Sequence, residues 1–176
     1  MIKIKKSINQ TAFSVSMESP IGAIFAVCSD LSVLSITLGK ESKKSAEIML
    51  ARAGYQIHQS SNPLCIQLQN ELNEYFSGKR IRFSVKTETQ GTPFQEKIWR
   101  ELLKVPFGKV VTYGQLAEQA GFPRAARAVG TAMAKNRALI VIPCHRVIAA
   151  DGRLGGFGCG IEVKKALLRL EKAWHE

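Results

Sequence analysis

Acidic residues are scarce. Fourteen Asp and Glu stand against 25 Lys and Arg in 176 residues, a formal charge of +11 with a pI near 9.8. That balance excludes an acidic solvating chain and points to a polyanion or an anionic surface, without saying which. Cysteine is sparse as well. Cys28, Cys65, Cys144 and Cys159 are widely spaced and form no Cys-x-x-Cys pair, which argues against a disulfide scaffold or a zinc ribbon and leaves open only a discontinuous site using His58 and Cys65. No apolar run approaches the ~20 residues of a membrane helix. The basic start, Met1 to Lys6, runs into Ser7-Ile8-Asn9-Gln10 instead of an apolar stretch, so no signal peptide is expected and the thiols are expected to stay reduced in a cytoplasmic protein. Internal repeats and low-complexity linkers are absent too.

What is present suits a folded chain. At 45% hydrophobic and 22% charged residues it is neither disordered nor fibrous, and its length fits one unit or two small subdomains with a real core. Residues 11–16, 23–29 and 31–38 are β-branched, apolar stretches between turn residues and predict strands. Residues 42–53 predict a helix closed by Gly54. Asn62-Pro63 opens another, with Leu64, Leu68, Leu72 and Phe76 on one stripe and Gly78 at its end. Residues 81–85 read as one more strand. Nothing in this half assembles chemistry, and composition shifts at Thr89-Gln90-Gly91. Thr92 and Gln95 then have capping-box spacing before a helix whose buried stripe is Phe94, Ile98, Trp99, Leu102 and Leu103, broken by Pro106-Phe107-Gly108-Lys109.

Within residues 104–146, seven basic residues (Lys104, Lys109, Arg124, Arg127, Lys135, Arg137, Arg146) face Glu118 alone, a net +6 that exceeds half of the total. On charge alone a solvated basic face explains this equally well. Position decides. Residues 113–120 predict a two-turn helix, Gly121-Phe122 a turn, and Pro123 the start of a second helix running to about Lys135. Ala126, Val129, Gly130 and Met133 fall on its inward face; Arg124, Arg127, Ala128, Thr131 and Lys135 fall on the outward one. Small residues beside long basic ones let a backbone approach a phosphate-lined groove. Helix pairs with a glycine turn are common in proteins that never touch DNA, but joined to the local +6 this one favours nucleic acid.

Asn136 ends the second helix, and residues 138–142 read as a strand leading into Pro143-Cys144-His145-Arg146-Val147. Proline pushes Ile142 into an extended conformation and removes one donor. A cysteine in such a place is most commonly a small buried hydrophobe. Neighbours in extended chain also face apart, so His145 need not touch Cys144. Three features argue for chemistry. Basic surroundings favour a thiolate, a Gly-rich loop at 152–160 borders a pocket, and the last helix, 161–174, carries Glu171 at the edge of a stripe of Val163, Leu167, Leu170 and Trp174. A carboxylate there holds His145 in one tautomer. The plainer role for Glu171 is a rim salt bridge with Lys164, Lys165 or Lys172.

Pro143-Cys144-His145-Arg146-Val147, preceded by Arg127-Ala128-Val129-Gly130 and Asn136, resembles the signature of the O6-alkylguanine-DNA alkyltransferases, also called methylated-DNA–protein-cysteine methyltransferases. Val111-Thr112-Tyr113-Gly114-Gln115-Leu116-Ala117 and the closing Leu167-Leu168-Arg169-Leu170-Glu171 agree in order and spacing. The likeness is strong over 92–172 and weaker over 1–91. It implies an α+β chain: a small N-terminal α/β domain, RNase H-like with a short antiparallel sheet, over 1–91, and a mainly helical, winged-helix-like domain with a helix-turn-helix over 92–176. The first would support the second, which would bind DNA and accept the alkyl group. The implied activity is DNA repair by direct reversal, without cofactor, metal or membrane partner. A monomer would bind duplex DNA containing alkylated guanine from the minor groove and flip the nucleotide. It would then transfer the alkyl group of O6-alkylguanine, or of O4-methylthymine, irreversibly to Cys144, once per molecule.

Position by position, the resemblance makes Cys144 the acceptor, activated through a water by His145, which Glu171 orients. Tyr113 would hydrogen-bond guanine N3, and the carbonyls of Cys144 and Val147 would accept from the exocyclic amine. Met133 would line the pocket, and Asn136 would tie the recognition helix to the active-site strand. Arg127 would fill the space left by the flipped base, with Arg124, Thr131 and Lys135 on the same DNA-facing side. One loop departs from the family pattern. Phe157-Gly158-Cys159-Gly160 stands where many relatives carry Tyr followed by Ser or Arg, so Phe157 and Gly158 border the pocket without a hydroxyl near O6, and Cys159 is a second thiol or a space-filler. Two other classes compete: a helix-turn-helix regulator without chemistry, and a Cys-His hydrolase, for which no acyl pocket is suggested.

Overall fold

The computed structural model describes residues 10–174; the basic start, residues 1–6, and the signal-peptide expectation resting on it lie outside them. The chain is α+β and forms two compact units. One runs as far as Asn73 and takes in Ser84–Glu88; the other comprises Glu74–Phe83 and the chain from Thr89 onward. Among the described residues no helix is long and apolar enough to cross a membrane.

In the first unit, β1 (Gln10–Met17), β2 (Ile24–Cys28) and β3 (Val33–Leu38) are antiparallel neighbours, at the places the apolar stretches predict. α1 (Lys40–Arg52) leads to a strand absent from the sequence reading, β4 (Tyr55–His58), which pairs parallel to β1. The sheet order is therefore β3-β2-β1-β4, mixed instead of antiparallel throughout. Ala12, Val27, Leu34, Leu50 and Tyr55 form its core beneath α1. Residues 81–85 make no strand. The N–H of Ser84 goes to the Glu71 carboxylate at 2.8 Å, and ladder contact is limited to a bridge from Thr87 to Val33. His58 and Cys65 gather no metal-binding group among the described residues. Asn62 Oδ1 accepts from the Cys65 N–H at 2.8 Å and caps α2 (Pro63–Phe76). The buried line of α2 is Cys65, Leu68, Leu72 and Tyr75, rotated by about one residue from the stripe expected.

In the second unit, α3 (Pro93–Leu102) carries the Thr92–Gln95 capping box in both directions. Ile98, Trp99 and Leu102 are buried, but Leu103 is 51% exposed and does not belong to the stripe. β5 (Val111–Thr112) feeds α4 (Tyr113–Gln119), which has a second capping box from Thr112 and Gln115. At its other end the N–H groups of Gly121 and Phe122 return to the carbonyls of Glu118 and Ala117, with Gly121 at φ +76°, so the helix closes in a Schellman turn. Pro123 does not open the next helix. Arg124 adopts φ +68°, and α5 starts at Ala126 and runs to Ala134. The strand expected at 138–142 is instead a buried turn, with Ile142 N–H bonded to Ala138 O and Ile140 at φ +73°. Cys144–Arg146 form one 3₁₀ turn, β6 (Val147–Ile148) pairs parallel to β5, and α6 ends at Leu170, earlier than expected, having begun at Ile161.

Candidate active site

Asn136 follows α5 and closes the turn that delivers Cys144. Its Oδ1 accepts from Ala138 N–H at 3.0 Å; its Nδ2 donates to Ile142 O at 2.9 Å and to Cys144 Sγ at 3.1 Å. Those three bonds hold a turn in which the β-branched Ile140 takes a left-handed conformation, an arrangement that persists only where its surroundings over-determine it. Because Cys144, His145 and Arg146 lie on a 3₁₀ turn, the alternation of an extended chain does not apply to them.

His145 and Glu171 are fully buried behind Cys144. Five donors converge on the Glu171 carboxylate: Tyr75 OH (2.7 Å), His145 Nε2 (2.8 Å) and Arg146 Nη2 (2.9 Å) on Oε1, and Arg146 Nε (2.8 Å) and Gly108 N–H (3.3 Å) on Oε2. Burial pushes this carboxyl up, but the hydrogen bonds from His145 and Arg146 outweigh it and hold it down at about 2. Burial lowers His145 below its ordinary value despite Glu171, so the imidazole is neutral at pH 7. A neutral imidazole has one N–H. The ionised Oε1 takes it from Nε2, which leaves Nδ1 as a lone-pair acceptor, and that Nδ1 is buried without a partner. The rim salt bridge considered for Glu171 does not exist: Lys165 pairs with Glu162 at 2.9 Å. Lys164 is fully buried, with its ammonium donating to Val147 O at 2.5 Å and to Leu154 O.

Cys144 opens onto a cavity of about 430 Å³, lined also by Tyr113, Met133, Asn136, Phe157 and Gly158 from the residues singled out in the sequence. Gly130, Ala134, Leu139, Gly156 and Cys159 complete the lining. Val147 does not line it. Its side chain is fully buried, and its carbonyl already accepts from Lys164. Burial raises the Cys144 thiol to about 11, only partly offset by the Asn136 hydrogen bond and the Lys164 charge, so the resting sulfur is protonated. Burial and the neighbouring Cys144 also raise Tyr113, which keeps its hydroxyl a donor. Gly155, at φ +71°, lies against that hydroxyl: a Cβ there would sit 3.1 Å from it.

Arg127, Ala128, Thr131 and Lys135 are exposed along one side of α5, while Val129 and Ala132 are buried. Trp99 Nε1 donates to Ala132 O at 3.1 Å and anchors that inner side to α3. Arg124 is exposed too, but it projects from the turn before the helix.

Residues 93–173 match the family model described as "6-O-methylguanine DNA methyltransferase, DNA binding domain". The chain is 39% identical over 158 residues to the methylated-DNA–protein-cysteine methyltransferase of Shigella flexneri, covering 87% of this chain and 91% of that protein. The chain belongs to this family. A methyltransferase of Mycobacterium bovis is 49% identical over 104 residues, which is 59% of this chain and, at 63%, under two thirds of that relative's length. Among solved structures, Mycobacterium tuberculosis OGT in complex with DNA superposes with a TM-score of 0.78 at 34% identity, covering 93% of each chain.

The family match runs from α3 past α6 and so takes in Tyr113, Asn136, Cys144, His145 and Glu171. Tyr75 lies before it. Sequence reasoning named Arg146, Gly108 and Lys164 only as a basic residue, a helix breaker and a rim partner for Glu171, not as the site members they are. Lys164 carries a readable signal, since it stands at i, i+3, i+4 and i+7 with Leu167, Leu168 and Glu171, on the buried side of α6. Tyr75 had one as well, standing three residues beyond Leu72 on the buried line of α2.

Proposed function

We propose that this methyltransferase-family chain repairs DNA directly, moving the alkyl group of O6-alkylguanine, and of O4-methylthymine, from duplex DNA to Cys144. The observation that carries this reading is the unpartnered, buried Nδ1 of His145, adjacent in the chain to a cysteine that opens into a cavity roomy enough for a base. A water spanning Sγ and Nδ1 passes the thiol proton to the imidazole. Sulfur attacks the saturated carbon; the S–C bond forms as the C–O6 bond breaks, and its electron pair goes to the guanine. Glu171 stabilises the imidazolium, and Tyr113 donates to the departing base at N3. The product is a thioether with no carbonyl for water to attack, so each molecule turns over once and no cofactor takes part.

O6 lies inside the base pair, and the sulfur reaches it only after the nucleotide is extruded, at a cost of a few kcal/mol. The exposed basic side of α5 supports docking in the minor groove through phosphate contacts, with Arg127 filling the vacated stack and Arg124, Thr131 and Lys135 beside it. The carbonyl of Cys144 receives the exocyclic amine; the Val147 carbonyl, which the resemblance also implies, is already held by the Lys164 ammonium. Residues 92–176 carry this chemistry and residues 1–91 support it. The sheet order β3-β2-β1-β4 suits an RNase H-like first domain, and the helix pair with β5–β6 suits a winged-helix-like second one. Every proposed group comes from one chain, which suits a monomer; a cytoplasmic location is part of the same proposal. A regulator without chemistry gives the free Nδ1 of His145 and the cavity at Cys144 no task.

The direct test is mass spectrometry after incubation with an O6-methylguanine duplex. One added methyl per chain, on Cys144, is expected, and an unmodified Cys144 sinks the reading. Arg127→Ala is expected to slow repair of duplex far more than reaction with free O6-benzylguanine, because only duplex needs flipping. Equal losses would remove the intercalating role. Tyr113→Phe is expected to slow transfer about tenfold with duplex binding retained, the worth of one ~1.4 kcal/mol hydrogen bond to the leaving base. A rate equal to that of the parent protein takes Tyr113 out of the mechanism.

A further inference from the structure

Cys159 lines the same cavity as Cys144, and the transfer proposed above leaves it without a task. It is half-buried, in a stretch without helix or strand that separates β6 from α6, and it stands between Gly158 and Gly160. A Cβ added at Gly156, Gly158 or Gly160 would meet nothing within 4 Å, so the backbone on either side of Cys159 is free of close neighbours. Charge on Cys159 raises the Cys144 thiol, so the two groups interact across the cavity they share. A disulfide requires Cα atoms no more than ~7 Å apart, and a glycine-flanked loop is the kind of segment that can satisfy this.

We propose that Cys144 and Cys159 form a reversible disulfide across the cavity by exchange with a low-molecular-weight disulfide, masking the acceptor sulfur while no base is bound. Cys159, the more exposed of the two, attacks the small disulfide slowly through its minor thiolate fraction; its sulfur forms a mixed disulfide, the S–S bond of the small disulfide breaks, and the proton passes to the small thiol released. Cys144 then attacks the Cys159 sulfur, its proton passing to His145. The protein disulfide forms, and the second small thiol leaves and takes up the proton. The small disulfide is reduced by two electrons and the cysteine pair is oxidised by two. Asn136, donating to Cys144 Sγ, and the Lys164 charge favour the attacking thiolate. Cys28 and Cys65, fully buried in the first unit, are out of reach of such an oxidant. A base seated in the cavity and the disulfide exclude each other. The masking consequence rests on Cys144 being the acceptor; the bond itself does not.

The experiment treats the full chain with oxidised glutathione and reads its mass without reductant. Loss of two hydrogen masses, with tryptic peptides 138–146 and 154–164 joined, is expected. Methyl transfer from an O6-methylguanine duplex should fall with the extent of cross-linking and return after dithiothreitol. In Cys159→Ser no cross-link forms, and the ratio of treated to untreated transfer stays higher than in the parent chain. Glutathione held on Cys159 with Cys144 free overturns the proposal, as does an unchanged mass. A cross-linked chain that never transfers methyl before or after reduction leaves the disulfide standing and defeats the repair reading instead.

Discussion

An O6-methylguanine duplex incubated with Cys144→Ala protein is expected to keep its methyl group. Three other cysteines stay in the chain, and none can take over. Cys28 and Cys65 are fully buried in the other unit. Cys159 faces the cavity, but burial raises its thiol, and it has no adjoining imidazole like the one whose free Nδ1 is proposed to serve Cys144. Without a base the thiol is almost wholly protonated at pH 7, and a protonated sulfur is a poor nucleophile. Transfer should therefore drop below detection, while binding to duplex DNA, proposed above to rest on the exposed side of α5, should persist. Removing one sulfur from a side chain that is already 8% exposed costs about 1 kcal/mol, so the variant folds and the comparison is clean. Methylated Cys159 in this variant, at a stoichiometry near one, would show that the cavity alone suffices and that His145 is dispensable. Cys144→Ser sharpens the test. It keeps a hydroxyl at the same place, yet its far higher pKa puts the proton beyond the reach of a neutral imidazole, so it too should fail.

Local signals were the legible ones. The capping box at Thr92–Gln95, the Asn62-Pro63 opening and the glycine at 121 each act within a few residues, and each is where spacing puts it. β4 went unread because Tyr55–His58, although it alternates apolar and polar, is only four residues long; a parallel partner remote in sequence makes it a strand. Residues 81–85 failed in the opposite sense. Their apolar alternation suggests a ladder, but Glu71 on α2 claims the backbone of Ser84. Residues 138–142 are apolar enough for a core strand, and pattern cannot separate that from a buried turn pinned by the Asn136 side chain. The same limit governs the site. Cys144, His145 and Glu171 were found through a motif, whereas Tyr75 and Lys164 owe their burial to long-range partners: a carboxylate 96 residues away for one and two backbone carbonyls for the other.

Tyr75, His145, Arg146 and Gly108 meet at Glu171, and its loss should be the most damaging to the fold. Glu171→Ala leaves the Arg146 guanidinium, 7% exposed, without its counter-charge and leaves the Tyr75 hydroxyl and His145 Nε2–H unpaired in the interior. Breaking a buried ion pair by deleting one member costs roughly 3–5 kcal/mol. For a chain of this size that corresponds to a fall in Tm on the order of 10 °C by calorimetry. Glu171→Gln is not a conservative escape. All five contacts are donors, so an amide NH₂ must point at Arg146 or at Tyr75 and His145. The pH dependence carries the sign. The carboxyl titrates at about 2 when folded against an ordinary value of 4.5, so its stabilisation is complete above about 4.5 and disappears as pH falls toward 2. The stability gap between the parent chain and Glu171→Gln should widen, not shrink, from pH 7 to 5, where loss of the carboxylate lowers His145 further, and should close through that acid window. A gap that persists at pH 2 would mean that packing, and not the charge on Glu171, holds the network together. Loss of the carboxylate also frees His145 to turn or to protonate otherwise, so at a temperature where Glu171→Gln is still folded its transfer rate should fall well below that of the parent.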